Sequence, residues 1–211
     1  MYKLFMIIGA LVGWFAVIAQ FYLLVLNRVM SLPGTVIQFF SYFTILTNIL
    51  VALYFTVVWL RPQSRLGKWF WRSSTSTAVA VYIVIVGLVY NLILRALWAP
   101  VGLQKMVDEV LHTFIPLLFL VYWLLWAPKE GLKWKHAFVW ILYPLFYSVY
   151  ILVRGELSGL YPYPFIDVVK LGYEKALLNA GVMVSAFLLV SILLIGIAKL
   201  MASRRVNMRN Q

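Results

Sequence analysis

The sequence predicts an all-α membrane protein, a bundle of six transmembrane helices that forms one domain over residues 1–211. Hydrophobic residues make up 64% of the chain and charged residues only 11%, whereas about 25% of the residues of a soluble domain are charged. The mean hydropathy is +0.95. These values exclude a soluble enzyme and a disordered chain. They also exclude a nucleic-acid partner despite the net charge of +12, because such proteins need a polar basic surface.

Six stretches reach the roughly 20 apolar residues that cross a hydrocarbon core. They lie near 4–26, 36–60, 78–98, 110–127, 136–153 and 177–200. The first resembles a signal peptide because Lys3 precedes it. It is longer than the apolar region of such peptides, about 7–15 residues, and no small-x-small cleavage site follows. We therefore expect it to be a retained span.

The positive charges predict the orientation of the bundle. Six spans place both termini on the same side, and 12 of the 18 Lys and Arg residues fall there. The remaining six lie on the other side, together with five of the six acidic residues. Because cytoplasmic loops are rich in Lys and Arg, we expect both termini to be cytoplasmic. The basic surplus then reflects anchors on anionic lipid.

One outer connection, 154–176, is much longer than the other loops. It contains the run Tyr161-Pro162-Tyr163-Pro164-Phe165, in which prolines interrupt any helix and aromatic residues favour the membrane interface. Long ordered loops are often lids or binding loops. A purely interfacial anchor is an equally good interpretation.

The scarcity of Cys and His restricts the chemistry. Without Cys, the chain has no disulfide, thiolate metal site or Cys nucleophile. His136 neighbours Lys133 and Lys135 and is predicted to lie on the inner surface. Only His112 remains on the outer side, too few ligands for a zinc hydrolase site. The sequence therefore predicts no metal and no cofactor.

Polar residues in the second span are conspicuous because polar groups in hydrocarbon need a partner or a function. Ser41, Thr44 and Asn48 are spaced by three and four residues, which places them on one helical face. Thr44 is expected about 12 Å below the outer boundary at about 1.5 Å per residue. Interhelical hydrogen bonding is the alternative role for all three.

The fourth span carries His112 within its first turn or so, again toward the outside. Asp108 and Glu109 precede it by four and three residues and can orient the imidazole. Pro116 lacks an N–H and so frees the carbonyl of His112 for another donor. The alternative is a histidine that only bridges helices or titrates at the interface.

Further polar groups are predicted at the same depth: Asn91, Arg95, Arg154 and Tyr163. The inner half of the bundle, by contrast, is poor in polar groups, which disfavours a transporter because transporters usually carry polar groups through the midplane. A hydroxyl and an imidazole at similar depth can form a nucleophile–base pair. Spacing alone does not show that Thr44 and His112 meet.

Three motifs carry a resemblance to a known family. Tyr42-Phe43-Thr44-Ile45-Leu46, Leu111-His112-Thr113-Phe114-Ile115-Pro116 and Tyr163-Pro164-Phe165 occur in this order on the second span, the fourth span and the last outer loop. The chain thereby resembles the family of androgen-induced protein and androgen-dependent TFPI-regulating protein, and still more its bacterial six-span relatives. The resemblance covers roughly spans two to six. Thr47 stands where those proteins carry an acidic residue, and Asp108 matches no acid in them.

The resemblance implies an intramembrane threonine hydrolase of fatty acid esters of hydroxy fatty acids, in a bacterial cytoplasmic membrane. Its essential pair maps to Thr44 and His112. Asn48 is then a candidate oxyanion donor, and Arg95 or Arg154 a candidate holder of a substrate carboxylate or headgroup. Asn91, Asp108 and Tyr163 are candidate supporting residues.

The expected partner is a membrane lipid or lipid ester, and the sequence indicates no oligomeric state. The competing hypothesis is a non-catalytic protein that binds a lipid or a peptide in the same outer pocket.

Overall fold

The structure, a computed structural model, describes the backbone of residues 1–209 and the side chains of residues 1–203. It is all-helical, with 82% of residues in helices and no strand in the part described. Six of its helical segments are long and apolar enough to cross a membrane. The prediction of an all-α protein with six apolar spans is therefore confirmed.

Within residues 1–209, ten α-helices follow one another: α1 (Tyr2–Leu26), α2 (Leu32–Phe40), α3 (Phe43–Leu60), α4 (Arg65–Phe70), α5 (Ser73–Leu92), α6 (Gly102–Glu109), α7 (Ile115–Leu125), α8 (His136–Trp140), α9 (Leu142–Ser158) and α10 (Val168–Arg209). A π-helical segment, Val110–Phe114, joins α6 to α7 without a break. Short 3₁₀ turns lie at Leu94–Ala96 and Pro164–Ile166.

The close approach of α1 to α3 rests on two glycines one turn apart. Gly9 lies against the ring of Phe55, and Gly13 against Ala52, so that a side chain at either position would collide with α3. Small residues at this spacing let helix backbones approach closely in membranes. This packing brings α3 into the centre of the bundle, where Val51 and Tyr54 are fully buried.

The second predicted span is two helices rather than one. Tyr42 has an extended backbone, with ψ of 123°, and separates α2 from α3. Ser41 ends α2, where its hydroxyl donates to the carbonyl of Ile37. The predicted continuous face through Ser41, Thr44 and Asn48 is therefore wrong. Thr44 is the second residue of α3 rather than a residue about 12 Å inside a longer helix.

The fourth span and the last outer loop also differ from the prediction. α6 begins at Gly102, so His112 lies in the π-helical segment and not in the first turn of its helix. The predicted 154–176 loop is mostly helical, because α9 continues to Ser158 and α10 begins at Val168, with a non-helical break at Gly172, where φ is 75°. Gly159 terminates α9 in the left-handed conformation, with φ of 68°.

Replacing Gly67 by alanine is expected to destabilise the protein. A Cβ at this position would overlap the carbonyl oxygen of Arg61 and lie 2.7 Å from that of Pro62, both on the backbone. Overpacking of this kind costs about 1–3 kcal/mol, which thermal unfolding in detergent would measure. Gly181→Ala is the matched control, since its Cβ would meet no atom within 4 Å. Equal melting temperatures for the two variants would contradict this expectation.

Candidate functional site

A cavity of about 610 Å³ lies at the end of the bundle where α1 ends and α3 begins, called the site end below. Its lining includes both Thr44 and His112, together with Tyr90, Asp108 and Tyr163. The structure thus places the two residues singled out by the motifs around one cavity. Among the described residues, no hydrogen bond joins the Thr44 hydroxyl to the His112 ring.

Thr44 occupies the amino end of α3, a helix whose N-cap residue makes no side-chain capping bond. Two tyrosine hydroxyls take that role: the N–H of Phe43 donates to Tyr147 at 3.2 Å, and the N–H of Thr44 donates to Tyr163 at 3.3 Å. The Thr44 Oγ1 lies 3.4 Å from the same Tyr163 oxygen. A helix N-terminus favours negative charge, so this position suits a developing oxyanion.

Tyr163 lies in the connection between α9 and α10, outside the apolar spans. Burial raises the pKa of its phenol, while the hydrogen bonds with Thr44 act in the opposite direction. A tyrosine phenol is protonated at neutral pH even at its usual pKa of about 10, so Tyr163 can act as a hydrogen-bond donor beside Thr44.

The imidazole of His112 is held by Asp108 in one orientation. Nδ1 lies 2.9 Å from the backbone carbonyl oxygen of Asp108 and 3.4 Å from its carboxylate Oδ1. A carbonyl oxygen only accepts hydrogen bonds, so Nδ1 carries the proton in the neutral ring and Nε2 keeps its lone pair. No hydrogen bond to Nε2 occurs within the described residues. Nε2 is therefore the atom of this ring that can act as a base.

Tyr90 completes the environment of His112. Its ring stacks on the imidazole with centroids 4.1 Å apart, and its hydroxyl donates to Asp108 Oδ2 at 2.8 Å. The carboxylate of Asp108 is therefore shared between Tyr90 and His112. This arrangement fixes both the position and the tautomer of the imidazole.

Asn48 connects the two halves of the site from behind. The residue is fully buried, and its Nδ2 donates to the carbonyl of Thr44 at 2.8 Å and to that of Leu111 at 3.2 Å. Both hydrogens of the amide are thus used, so Asn48 does not present a free donor for an oxyanion. It instead fixes the register between α3 and the segment that carries His112.

Asn91 has a similar structural role on α5. Its Nδ2 donates to the carbonyl of Gly87 at 2.9 Å and to that of His112 at 3.3 Å. Pro116 leaves the His112 carbonyl without its usual helical donor, as the sequence indicated. Asn91 supplies that donor, so it supports the backbone of His112 rather than the cavity.

Neither candidate arginine lines the cavity. Arg95 pairs with Glu109 at 2.7 Å and lies over the ring of Tyr90 at 5.2 Å. Arg154 donates to Gln38 at 2.7 Å and borders a separate surface groove between α2 and α9. The expectation that Arg95 or Arg154 faces bound substrate beside Thr44 therefore finds no support in the geometry.

Three amide side chains of the cavity were missed by the sequence analysis: Gln20, Asn27 and Gln104. Gln104 Nε2 donates to Gln20 Oε1 at 2.9 Å and so joins α6 to α1. Gln20, a lone amide in the most apolar part of the first span, was the available signal. Nothing in the sequence connects it with Gln104, 84 residues away.

A second, smaller cavity of about 70 Å³ adjoins the first. Thr44 and Tyr163 line both cavities, so they form part of the boundary between them. The other side chains of the small cavity are almost all apolar and include Ile85, Met183 and Phe187. Thr44 thus has a mainly apolar space on one side and a more polar space on the other.

No family model, curated protein or solved structure matches this chain. The resemblance to the androgen-induced protein family accordingly rests on the three motifs alone and stays a hypothesis. In the described part of the chain, no group of three or more His, Asp or Glu residues is placed to hold a metal ion.

Proposed function

We propose that this protein is an intramembrane hydrolase of lipid esters, with Thr44 as nucleophile and His112 as general base. The observation that carries the proposal is the shared cavity, in which the Nδ1–H of His112 is committed to Asp108 and Nε2 is left as a base. Fatty acid esters of hydroxy fatty acids are the substrates that the motif resemblance suggests.

The proposed reaction follows the mechanism of hydrolases in which a general base activates a serine or threonine hydroxyl. His112 Nε2 accepts the hydroxyl proton of Thr44 while Oγ1 attacks the ester carbonyl carbon. The N–H of Thr44 and the hydroxyl of Tyr163 donate to the oxyanion. The imidazolium then protonates the departing alcohol. In the second step the same ring deprotonates a water molecule, which attacks the acyl-threonine and releases the fatty acid.

Substrate entry has to change one contact. The Tyr163 hydroxyl lies next to both the N–H and the hydroxyl of Thr44, where an ester oxygen would bind. An incoming carbonyl replaces Tyr163 as acceptor of the Thr44 N–H, and this replacement frees the threonine hydroxyl to turn toward His112.

We also propose an orientation for the bundle. With both termini in the cytoplasm, as the distribution of Lys and Arg predicts, the site end faces the outer leaflet. A location in a bacterial cytoplasmic membrane rests on the motif resemblance. What the structure itself provides is a protein with six segments fit to span a membrane.

One observation favours a second candidate function. Thr44 is hydrogen-bonded to Tyr163 and not to His112, as expected if the cavity only binds a lipid. In that case the same polar residues would recognise a bound lipid that is never cleaved.

A fluorophosphonate with a long alkyl chain separates the two functions. Attack by Thr44 Oγ1 forms a P–O bond and expels fluoride, while His112 takes the proton. Intact-mass measurement is expected to show one adduct on the wild type and none on Thr44→Ala.

Thr47→Val serves as the control, because Thr47 is buried one turn further along α3 and lines neither cavity. It should be labelled like the wild type. Equal labelling of Thr44→Ala, or a wild type that neither forms the adduct nor cleaves any lipid ester, would favour the binding function.

A further inference from the structure

The lining of the 610 Å³ cavity is poor in charged side chains. Among the described residues that line it, none is Lys or Arg, and the only carboxylate is that of Asp108. Asp108 is buried, with 6% of its surface exposed. A substrate carboxylate bound here would lose part of its hydration, gain no cation in return and share the cavity with the carboxylate of Asp108, each of which is unfavourable.

Arg95, the candidate cation next to the lining residue Leu94, is already committed elsewhere. Arg95 pairs with Glu109 at 2.7 Å, and Thr113 also donates to that carboxylate. The guanidinium lies over the ring of Tyr90, 5.2 Å from its centroid, and the same ring stacks on His112. Reaching the cavity would require Arg95 to give up both the ion pair and the ring contact.

The polar groups that do line the cavity suit neutral partners. Gln20 and Gln104 use one donor and one acceptor on each other, so the amide of Gln20 and the carbonyl of Gln104 remain to donate and to accept. Asn27 uses only its Nδ2, on the carbonyl of Leu23. Amides that offer both donors and acceptors match hydroxyl groups, which also do both.

We propose, on the basis of the hydrolase function above, that the physiological substrate is an ester of a neutral, hydroxyl-bearing alcohol such as a glycerol, and not an ester that carries a free carboxylate. The alcohol part occupies the 610 Å³ cavity near Gln20 and Gln104. The first carbons of the acyl chain pass beside Met183 and Phe187, because the 70 Å³ apolar cavity has room for only a few methylene groups. Hydrolysis adds water across the ester, breaks the acyl C–O bond and releases a fatty acid and the neutral alcohol.

The test compares substrates that differ in charge. Release of oleate from the oleoyl ester of hydroxystearic acid is measured at pH 8 in detergent, for the free acid and for its methyl ester, with monooleoylglycerol as third substrate. The two neutral esters are expected to have kcat/KM at least about tenfold above that of the free acid, mainly through a lower KM.

A charge introduced into the cavity sharpens the test. Gln104→Lys places a cation in the lining and should raise the kcat/KM of the free acid relative to the methyl ester by about tenfold. Met106→Lys is the matched control: it lies on the same helix, is exposed and does not line the cavity. It should leave the ratio of the two substrates as in the wild type.

The outcomes distinguish this inference from the function on which it rests. A wild type that prefers the free acid, with a rate that depends on Thr44, overturns the neutral-alcohol inference and leaves the hydrolase intact. An unchanged ratio in Gln104→Lys also contradicts the placement of the alcohol. Failure to cleave all three esters would overturn the hydrolase function itself.

Discussion

Replacing His112 by asparagine is expected to lower kcat for ester hydrolysis by about 10²–10⁴-fold, the usual contribution of a general base. The asparagine Nδ2 falls close to the position of the imidazole Nδ1, so it can keep the hydrogen bond to the carbonyl of Asp108. It supplies no base in place of Nε2. A loss of rate with an unchanged melting temperature would therefore report lost chemistry rather than lost structure.

The other histidine provides the control. His136 lies at the start of α8, where it accepts a hydrogen bond from the N–H of Lys133 and stacks on Trp140. His136→Asn has no contact with the cavity and should retain the wild-type rate. If His112→Asn were equally active, proton transfer by His112 would be refuted.

Replacing Asn48 by leucine is expected to have the second largest effect, on both stability and rate. Leucine has nearly the same volume but leaves the carbonyl of Leu111 without the Asn48 donor. An unsatisfied buried acceptor costs about 1–3 kcal/mol. The same change loosens the register between Thr44 and His112, and a displacement of about 1 Å can reduce a rate by about 10²-fold. Thermal unfolding and kcat would be measured on the same preparation.

Ser191→Ala is the control that shows whether the loss of stability and rate in Asn48→Leu follows from removing any buried polar group. Ser191 is fully buried on α10, and its hydroxyl has no hydrogen-bond partner within the described residues. Its removal should be neutral or slightly stabilising, because no partner is left behind. An Asn48→Leu variant as stable and active as Ser191→Ala would show that the bridge is dispensable.

The spans were predictable because apolar length is read directly from the sequence, but their interruptions were not. Ser41 and Tyr42 are flanked by apolar residues on both sides, so hydropathy carries no mark of the break between α2 and α3. The π-helical segment around His112 likewise depends on tertiary contacts, among them the bond from Asn91 to the His112 carbonyl. Sequence pattern shows that Pro116 frees this carbonyl but does not show which donor takes it.

The end of the bundle at which a residue lies was easier to predict than the direction in which its side chain faces. Thr44, Asp108, His112 and Tyr163 line one cavity, although Asp108 belongs to none of the three motifs. Arg95 and Arg154 lie toward the same end but face other partners, since each found a carboxylate or amide on a neighbouring helix. Which side chain each arginine contacts depends on the tertiary structure and cannot be read from the sequence.

The number of polar groups on aromatic side chains was also underestimated, because tyrosine and tryptophan count as hydrophobic in the composition. At the end opposite the site, which the sequence analysis took to be poor in polar groups, the hydroxyls of Tyr54 and Tyr122 lie 3.0 Å apart. The indole of Trp123 donates to Thr77 at 3.0 Å. These bonds hold helices together in the interior of the bundle.

The break at Tyr42 has a consequence for the supply of water. α3 is 18 residues long, about 27 Å at about 1.5 Å per residue, which is close to the roughly 30 Å of a hydrocarbon core. As a candidate span, a helix of this length would place its second residue near the aqueous boundary and not at the midplane. In the proposed hydrolysis, water for the release of an acyl group from Thr44 would then travel only a few ångströms, and a polar product would leave by the same short route. The proposed reaction would need no channel through the bilayer, and its fatty acid product would stay in the leaflet of the substrate.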